Sequence, residues 1–398
     1  VLMGIDRLLQ DESALKELRS KRVGLLAHPA SVSVDLQHSL DRLKAAAVPV
    51  TAAFGPQHGL RGDKQDNMVE SADFIDPHHR IPVFSLYGTS RRLTPTMLET
   101  FDVLLIDLQD LGCRIYTFLT TLRYMLEDCS AAQKSVWVLD RPNPAGRPIE
   151  GLALQPGEES FVGSGRFPMR HSLTLGEAAG WFRHELKLAM DLRVWEMRGW
   201  EPLSAPGYGW PSSRSWVNPS PNAQNVSMAR AYAGTVMLEG TTLSEGRGTT
   251  RALEVMGAPD LPMDVLLNDM RRLAPQWMQG VAIRPMYFEP TFHKHAQQLC
   301  AGMQWHCDAD HYDPTLFKPW RLMALFFKAI RRWNPDYPLW RDFPYEYETE
   351  RLAIDVINGG PLLRMWVDDP RASVADLEQL ARQDERGWAL EMQDFYRY

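Results

Sequence analysis

The stretch from Phe54 to Ser71, FGPQHGLRGDKQDNMVES, sets an imidazole, a guanidinium, an amide and several carboxylates among three glycines, directly after an apolar run. Such a mixture can move protons and hold an anion. Val48 to Phe54 (VPVTAAF) reads as a buried strand stopped by Gly55-Pro56. In open α/β sheets ligands collect beyond the carboxyl ends of strands. Gln57, His58, Arg61, Asp63, Asp66 and Glu70 are therefore expected on the floor or wall of a cleft, the competing expectation being a solvated surface loop.

Three further stretches carry chemistry of the same kind. Leu104 to Tyr116, LLIDLQDLGCRIY, ends an apolar strand at Asp107 and continues with Gln109, Asp110 and Arg114. Asp110 either caps the next helix or reaches a ligand. The strand VWVLD ends at Asp140 and runs into Arg141-Pro142-Asn143-Pro144, with Glu150 in Ile149-Glu150-Gly151. An acid beside an arginine is a local ion pair in one reading, and the recurrence of polar strand ends favours a shared cleft in the other. Leu238 to Thr250, LEGTTLSEGRGTT, places Gly246 and Gly248 around Arg247, so that backbone amides and a guanidinium could receive one anion. The plainer alternative is a tight turn tied by Glu239 or Glu245.

Other chemistries find less support. There is no G-x-x-x-x-G-K-[ST] loop and no G-x-S-x-G elbow. His293, His295, Cys300, His306 and Cys307 follow no common zinc spacing, and His58 with Asp63 or Asp107 makes no better metal site.

The elements that must hold these loops follow from periodicity. Helical patterns at 5–19, 34–44, 95–99, 117–132 and 175–188 alternate with apolar runs at 22–28, 48–54, 81–86, 103–106, 135–139 and 192–197. Strand and helix in turn predict a parallel sheet with helices on both faces, an α/β domain. From Glu201 to Asn225 the texture becomes rich in Pro, Ser, Gly and Trp, which reads as a crossing segment, with Trp210 and Trp216 suited to a lid. A second half follows, with helices near 263–273 and 316–332, strands near 281–288 and 303–307, and a mostly helical end.

At 398 residues two domains are expected, 1–225 and 226–398. Hydrophobic residues at 44% and charged residues at 23% are those of a globular chain with a sizeable core. A net charge of -7 without a Lys/Arg run argues against nucleic acid or an anionic membrane and favours a small polar partner. No signal-peptide pattern or membrane-spanning run is seen, so the expectation is a cytoplasmic protein as supplied, or a periplasmic or secreted one if a leader was removed. Four cysteines without C-x-x-C spacing predict no disulfide framework.

In order along the chain, FGPQHGLRGD, IPVFSLYG, LLIDLQDLGCRIYT, VLDRPNP, IEG, PSPN, LEGTTLSEGRGTT and FEPTFHKHAQQLC resemble a bacterial family long labelled a domain of unknown function and now associated with exo-β-N-acetylmuramidases. The likeness runs from about Gly4 to the C-terminus. It implies a Rossmann-like N-terminal domain, a smaller α+β C-terminal auxiliary domain and a cleft near their junction. The implied reaction is removal of terminal N-acetylmuramic acid from the non-reducing end of peptidoglycan fragments, with no cofactor.

The chain departs from the family where the usual P-E-H-G reads Pro56-Gln57-His58-Gly59, since glutamine cannot donate a catalytic proton. The expectation is that Glu70 folds back as the acid, assisted by His58, with Asp107, Asp110, Glu150 or Glu239 as partner. An apolar wall should then raise the pKa of Glu70. Arg61 and Arg247, with the Gly246 and Gly248 amides, are expected to bind the lactyl carboxylate of muramic acid. Gln57, Gln109, Arg114, Asp140, Asn143, Glu150, Asn222 and Glu245 complete the expected substrate-binding set. A non-catalytic amino-sugar-binding protein and a hydrolase of altered specificity are the alternatives.

Overall fold

The computed structural model describes residues 1–62 and 68–398, so Asp63 and Asp66 lie outside the described residues. Its strands are β1 (Val23–Ala27), β2 (Val50–Gly55), β3 (Phe74–Ile75), β4 (Pro82–Ser85), β5 (Val103–Asp107), β6 (Ser135–Leu139), β7 (Glu150–Ala153), β8 (Pro168–Arg170), β9 (Leu192–Trp195), β10 (Val255–Ala258), β11 (Ala282–Phe288) and β12 (Cys300–His306). Seven of them form the central sheet in the order β3-β4-β2-β1-β5-β6-β9. All neighbours are parallel except the antiparallel β3–β4 pair at one edge. Counting only the parallel strands, the order is 3-2-1-4-5-6, that of a doubly wound sheet, whose ligand crevice opens where the winding reverses between β1 and β5.

Both faces of this sheet are covered because its central strands β1, β5 and β6 are apolar on both sides. Leu104 and Ile106 of β5 point into one core with Leu26, Phe54 and the helix Phe118–Ala131, whereas Val103 and Leu105 join Leu8, Leu18 and Leu43 in the other. That is the two-residue alternation of a strand. The first of these cores continues without a break into the second domain, around the helix Pro319–Trp333.

The C-terminal domain builds its helices on a small antiparallel sheet, β10-β12-β11. Two groups of hydrogen bonds at β7 help lock it to the first. Glu150 of β7 accepts hydrogen bonds from the backbone N–H groups of Trp320 (3.3 Å) and Arg321 (3.0 Å), satisfying donors at the start of the Pro319–Trp333 helix. On the last helix, Val374–Met392, Asp384 and Glu385 accept from Ala153 N and Gly151 N, each at 2.9 Å. Among the described residues no helix is long and apolar enough to cross a membrane.

Local chemistry explains where elements differ from expectation. The single helix expected over 5–19 is two, Gly4–Leu9 and Glu12–Arg19, the second capped by Asp11 on Ala14 N. The helix expected from Val34 starts at Ser39, because Leu36 has φ 61° and Ser33 N bonds to Gln37 O, closing a turn. The hairpin β7–β8 and strand β10 were not expected. They are short, and β7 and β10 contain glycine, which leaves little periodicity to read.

The loop leaving β5 is fixed at Gly112, where φ is 74° and a Cβ atom would lie 2.0 Å from Asn143 Oδ1. Asn143 is itself buried, bonded to Leu173 O and Ala145 N. Gly112→Ala is expected to cost about 2 kcal/mol through left-handed strain and overpacking, read as a lower denaturant midpoint. An unchanged midpoint would show that this loop can yield.

Candidate active site

Two strand ends, the crossing segment and three pieces of the C-terminal domain meet in one narrow cleft. β2 delivers Gln57 and His58 through a turn in which Gly59 N bonds to Pro56 O and His58 takes φ 70°. A bulky residue held in the left-handed region costs about 1–3 kcal/mol, and such strain gathers at functional sites. Beyond β5, Ile115, Tyr116 and Thr117 arrive at the head of the Phe118–Ala131 helix.

The crossing segment adds Ser220 and Asn222. It is held by a buried imidazole at the end of β1: His28 Nδ1 donates to Pro219 O (3.1 Å), and Nε2 accepts from Gln109 N (2.8 Å). Burial lowers the pKa of His28 to about 3, so it serves as a neutral strut. Trp210 and Trp216 pack edge to face at 4.8 Å, and their indole N–H groups bond to Arg214 O and Ala223 O within the same segment.

From the C-terminal domain, Met228 and Tyr232 lie four apart on the helix Val226–Thr235 and present one face to the cleft. Glu239 follows on the 3-10 turn Val236–Gly240. Its Oε1 accepts from Arg247 Nη2 at 2.6 Å and its Oε2 from the Tyr345 hydroxyl at 2.6 Å. Arg247 also gives Nε to Glu245 at 2.8 Å, and its Nη1 is buried without a hydrogen-bond partner among the described residues.

The last piece is Glu346, which lines the cleft beside Gln57. Gln57 Nε2 donates to its Oε1 (3.0 Å), Tyr87 donates to its Oε2 (2.7 Å), and Thr117 Oγ1 holds the other end of Gln57 (2.8 Å). Burial raises the Glu346 pKa to about 7, aided by nearby Glu239 and opposed by the hydrogen bonds from Tyr87 and Gln57 and by Arg91. Nothing in its surroundings, DFPYEYE, has a periodic pattern or a recognisable motif. The detectable signal was an acid between two tyrosines after a proline.

Of the residues expected at the site, Gln57, His58, Asn222, Glu239 and Arg247 share this cleft. Glu70 does not line it. Its side chain is exposed and accepts from the Tyr347 hydroxyl at 3.0 Å, so no apolar wall surrounds it. Arg61 is exposed too, with its guanidinium 4.5 Å from the Phe74 ring centroid, so it faces outward and not toward an anion in the cleft.

The other strand-end residues are engaged in building the scaffold. Asp107 is fully buried in a bidentate pair with Arg141. Asp110 accepts from Gly112 N at 2.6 Å, with His171 Nε2 at 3.6 Å. Gln109 donates to Asp110 O and Pro142 O, and Arg114, brought down to a pKa of about 10 by burial, donates to Leu152 O, Phe167 O and Ile357 O. Asp140 accepts from Thr174 Oγ1, Gly176 N and the Tyr398 hydroxyl, with its pKa raised by burial and then by Glu177 to about 6. Glu150 caps a helix, as described above, and Glu245 pairs with Lys294 at 2.8 Å as well as with Arg247. The Gly246 amide bonds to Ser244 Oγ and is therefore not free for an anion.

The histidines and cysteines of the C-terminal half are dispersed. His293 faces Glu245, His295 bonds to Thr242 O, and Cys300 and Cys307 are buried thiols. Among the described residues the one trio able to offer three ligand atoms to a metal is Asp41, His78 and His79, on a different surface.

The family model described as the N-terminal part of the exo-β-N-acetylmuramidase NamZ matches residues 23–227, and that for its C-terminal part matches 230–398. The chain belongs to the NamZ exo-β-N-acetylmuramidase family. It is 40% identical over 307 residues to the peptidoglycan β-N-acetylmuramidase NamZ of Bacillus subtilis (strain 168), covering 76% of this chain and 72% of that protein. Two Bacteroides fragilis proteins of solved structure, both called DUF1343 family proteins, share the fold over 100% of this chain and 98% of theirs. One is 28% identical with a TM-score of 0.85, the other 23% identical with a TM-score of 0.76. The NamZ-family fold thus extends over both domains of this chain.

Proposed function

We propose that this chain is a glycoside hydrolase that releases terminal N-acetylmuramic acid from the non-reducing end of peptidoglycan fragments, and that the cleft described above holds that sugar. The observation that carries the reading is the convergence of Gln57, His58, Asn222, Glu239 and Arg247, from distant stretches of a NamZ-family chain, on one cleft. The apolar side chains Ile115, Val162, Met228 and Leu253 suit a sugar face, while the polar groups suit its hydroxyl and acetamido substituents. Glu239, tied at both oxygens, is a fixed negative charge able to orient the acetamido group or face the positive charge that develops on the ring.

Arg247 Nη1 is the donor left for the lactyl carboxylate, since Nε and Nη2 are taken by Glu245 and Glu239. Arg247→Lys, which keeps a charge between the two glutamates, is expected to lower kcat/KM on an aryl muramic acid glycoside by roughly tenfold more than on the N-acetylglucosamine glycoside. Equal losses would remove Arg247 from substrate selection.

The direct test of the reaction is incubation with a disaccharide bearing muramic acid at its non-reducing end. Free N-acetylmuramic acid should appear, while an oligomer ending in N-acetylglucosamine stays whole. Tight binding of the disaccharide without release would instead identify a sugar-binding protein.

A further inference from the structure

Among the described residues two carboxyl groups line the cleft, Glu239 and Glu346, and their surroundings are opposite. Glu239 is bound by a guanidinium and a phenol, an arrangement that holds a carboxylate in place and ties up both oxygens. Glu346 is buried, and among the described residues its carboxyl is bonded to neutral donors, the Gln57 amide and the Tyr87 phenol. Pairs of carboxyls with divergent environments are how one fold supplies an acid and an anion at the same pH.

Backbone geometry points the same way. Tyr345 and Glu348 exchange both backbone hydrogen bonds across a two-residue turn, with Glu346 at φ 47° and Tyr347 at φ 71°. Turns of that shape are the province of Asn-Gly and Asp-Gly. Placing a glutamate and a tyrosine there costs of order 1–3 kcal/mol per residue, a strain that the aimed side chain explains. Arg91 packs 3.8 Å from the Tyr347 ring centroid and near Tyr87 and Phe161, fixing the turn against the N-terminal domain.

Resting on the muramidase reading above, we propose that Glu346 is the proton donor of the reaction, with Gln57 and Tyr87 as the groups that position it. As the bond from C1 to the leaving oxygen breaks, its electron pair stays on that oxygen, which takes the Glu346 proton. Water then adds its hydroxyl to C1 and returns a proton to Glu346. Gln57, held by Thr117, stabilises the carboxylate between those events without titrating itself.

Among the described residues the charged and titratable groups facing Glu346 are Tyr87, Arg91, Glu239, Tyr345 and Tyr347, with His58 on the same cleft. Since the acid acts when protonated and its pKa lies near about 7, kcat/KM should fall about tenfold per pH unit on the alkaline side.

The experiment compares two substrates of one sugar: a muramic acid disaccharide, whose leaving alcohol needs a proton, and the 2,4-dinitrophenyl glycoside, whose phenolate leaves without one. Glu346→Gln should lose about 100-fold or more on the first and far less on the second. The wild type, independent of any variant's folding, should show the alkaline fall on the disaccharide and not on the dinitrophenyl glycoside. Equal loss on both substrates, or a wild-type disaccharide profile without that fall, would overturn the assignment of Glu346. A wild type that cleaves neither substrate would overturn the muramidase reading itself.

Discussion

Arg247→Ala is expected to be less stable than the parent chain by about 3–5 kcal/mol, read from chemical denaturation near neutral pH. The guanidinium is 3% exposed and binds two carboxylates that are themselves buried. Glu245 would keep Lys294 and His293 as partners. Among the described residues Glu239 would keep the Tyr345 hydroxyl alone, so most of the loss falls there. Breaking a buried pair by removing one member strands the other, which is why the loss can be a large part of a total stability of about 5–15 kcal/mol. The defect should also depend on pH with a definite sign. Burial pushes Glu245 upward, but Lys294, His293 and Arg247 together hold it well below its ordinary value, so its contribution is present above the unfolded pKa and is lost as the solution is acidified. The gap between variant and parent should therefore narrow toward low pH. A loss below about 1 kcal/mol would mean that the cleft relaxes around the missing cation.

Glu346→Gln should act in the opposite direction, toward greater stability, by about 3 kcal/mol at pH 8. The folded carboxyl titrates near about 7 against a reference of 4.5. A carboxyl raised in this way is tolerated fully below the unfolded value. As pH rises from 4.5 to about 7 the unfolded chain gains its charge freely while the folded chain resists, so stability is lost across that window. Glutamine has no such titration, and turning over the Gln57 amide lets the two side chains bond to each other while Thr117 accepts. Denaturation of both proteins at several pH values from about 4 to 8 should give curves that meet at the acid end and diverge above it. A constant difference would show that Glu346 does not titrate in that range. A variant that is stabler and slower is the trade expected where an active site holds a group that the fold would rather exclude.

The scaffold was readable because its signals are local. β5 and β6 are apolar on both faces, the helix Met263–Leu273 has a strong 3.6-residue pattern, and the alternation of such pieces leads directly to a parallel sheet. The loops at strand ends were readable as polar, but their division of labour was not. Asp107 and Asp140 look like ligands in the sequence, yet each is saturated by groups from elements 34 or more positions away, Arg141, Thr174 and Gly176 among them. The sequence points to Glu70 because it shares a loop with Gln57, and nothing in its spacing points to Glu346. The Tyr347 hydroxyl in fact brings Glu70 to the turn that carries Glu346, one side of it wet and the other dry. Burial, which no spacing rule reports, separates the two acids.

Gln57 and the carboxyl it holds are 289 positions apart. A ribosome therefore finishes the whole parallel sheet well before the partner of Gln57 exists. Met228, Tyr232, Glu239 and Arg247, which wall the same opening, are also translated after that sheet. The opening is thus assembled only once the second domain has emerged and docked.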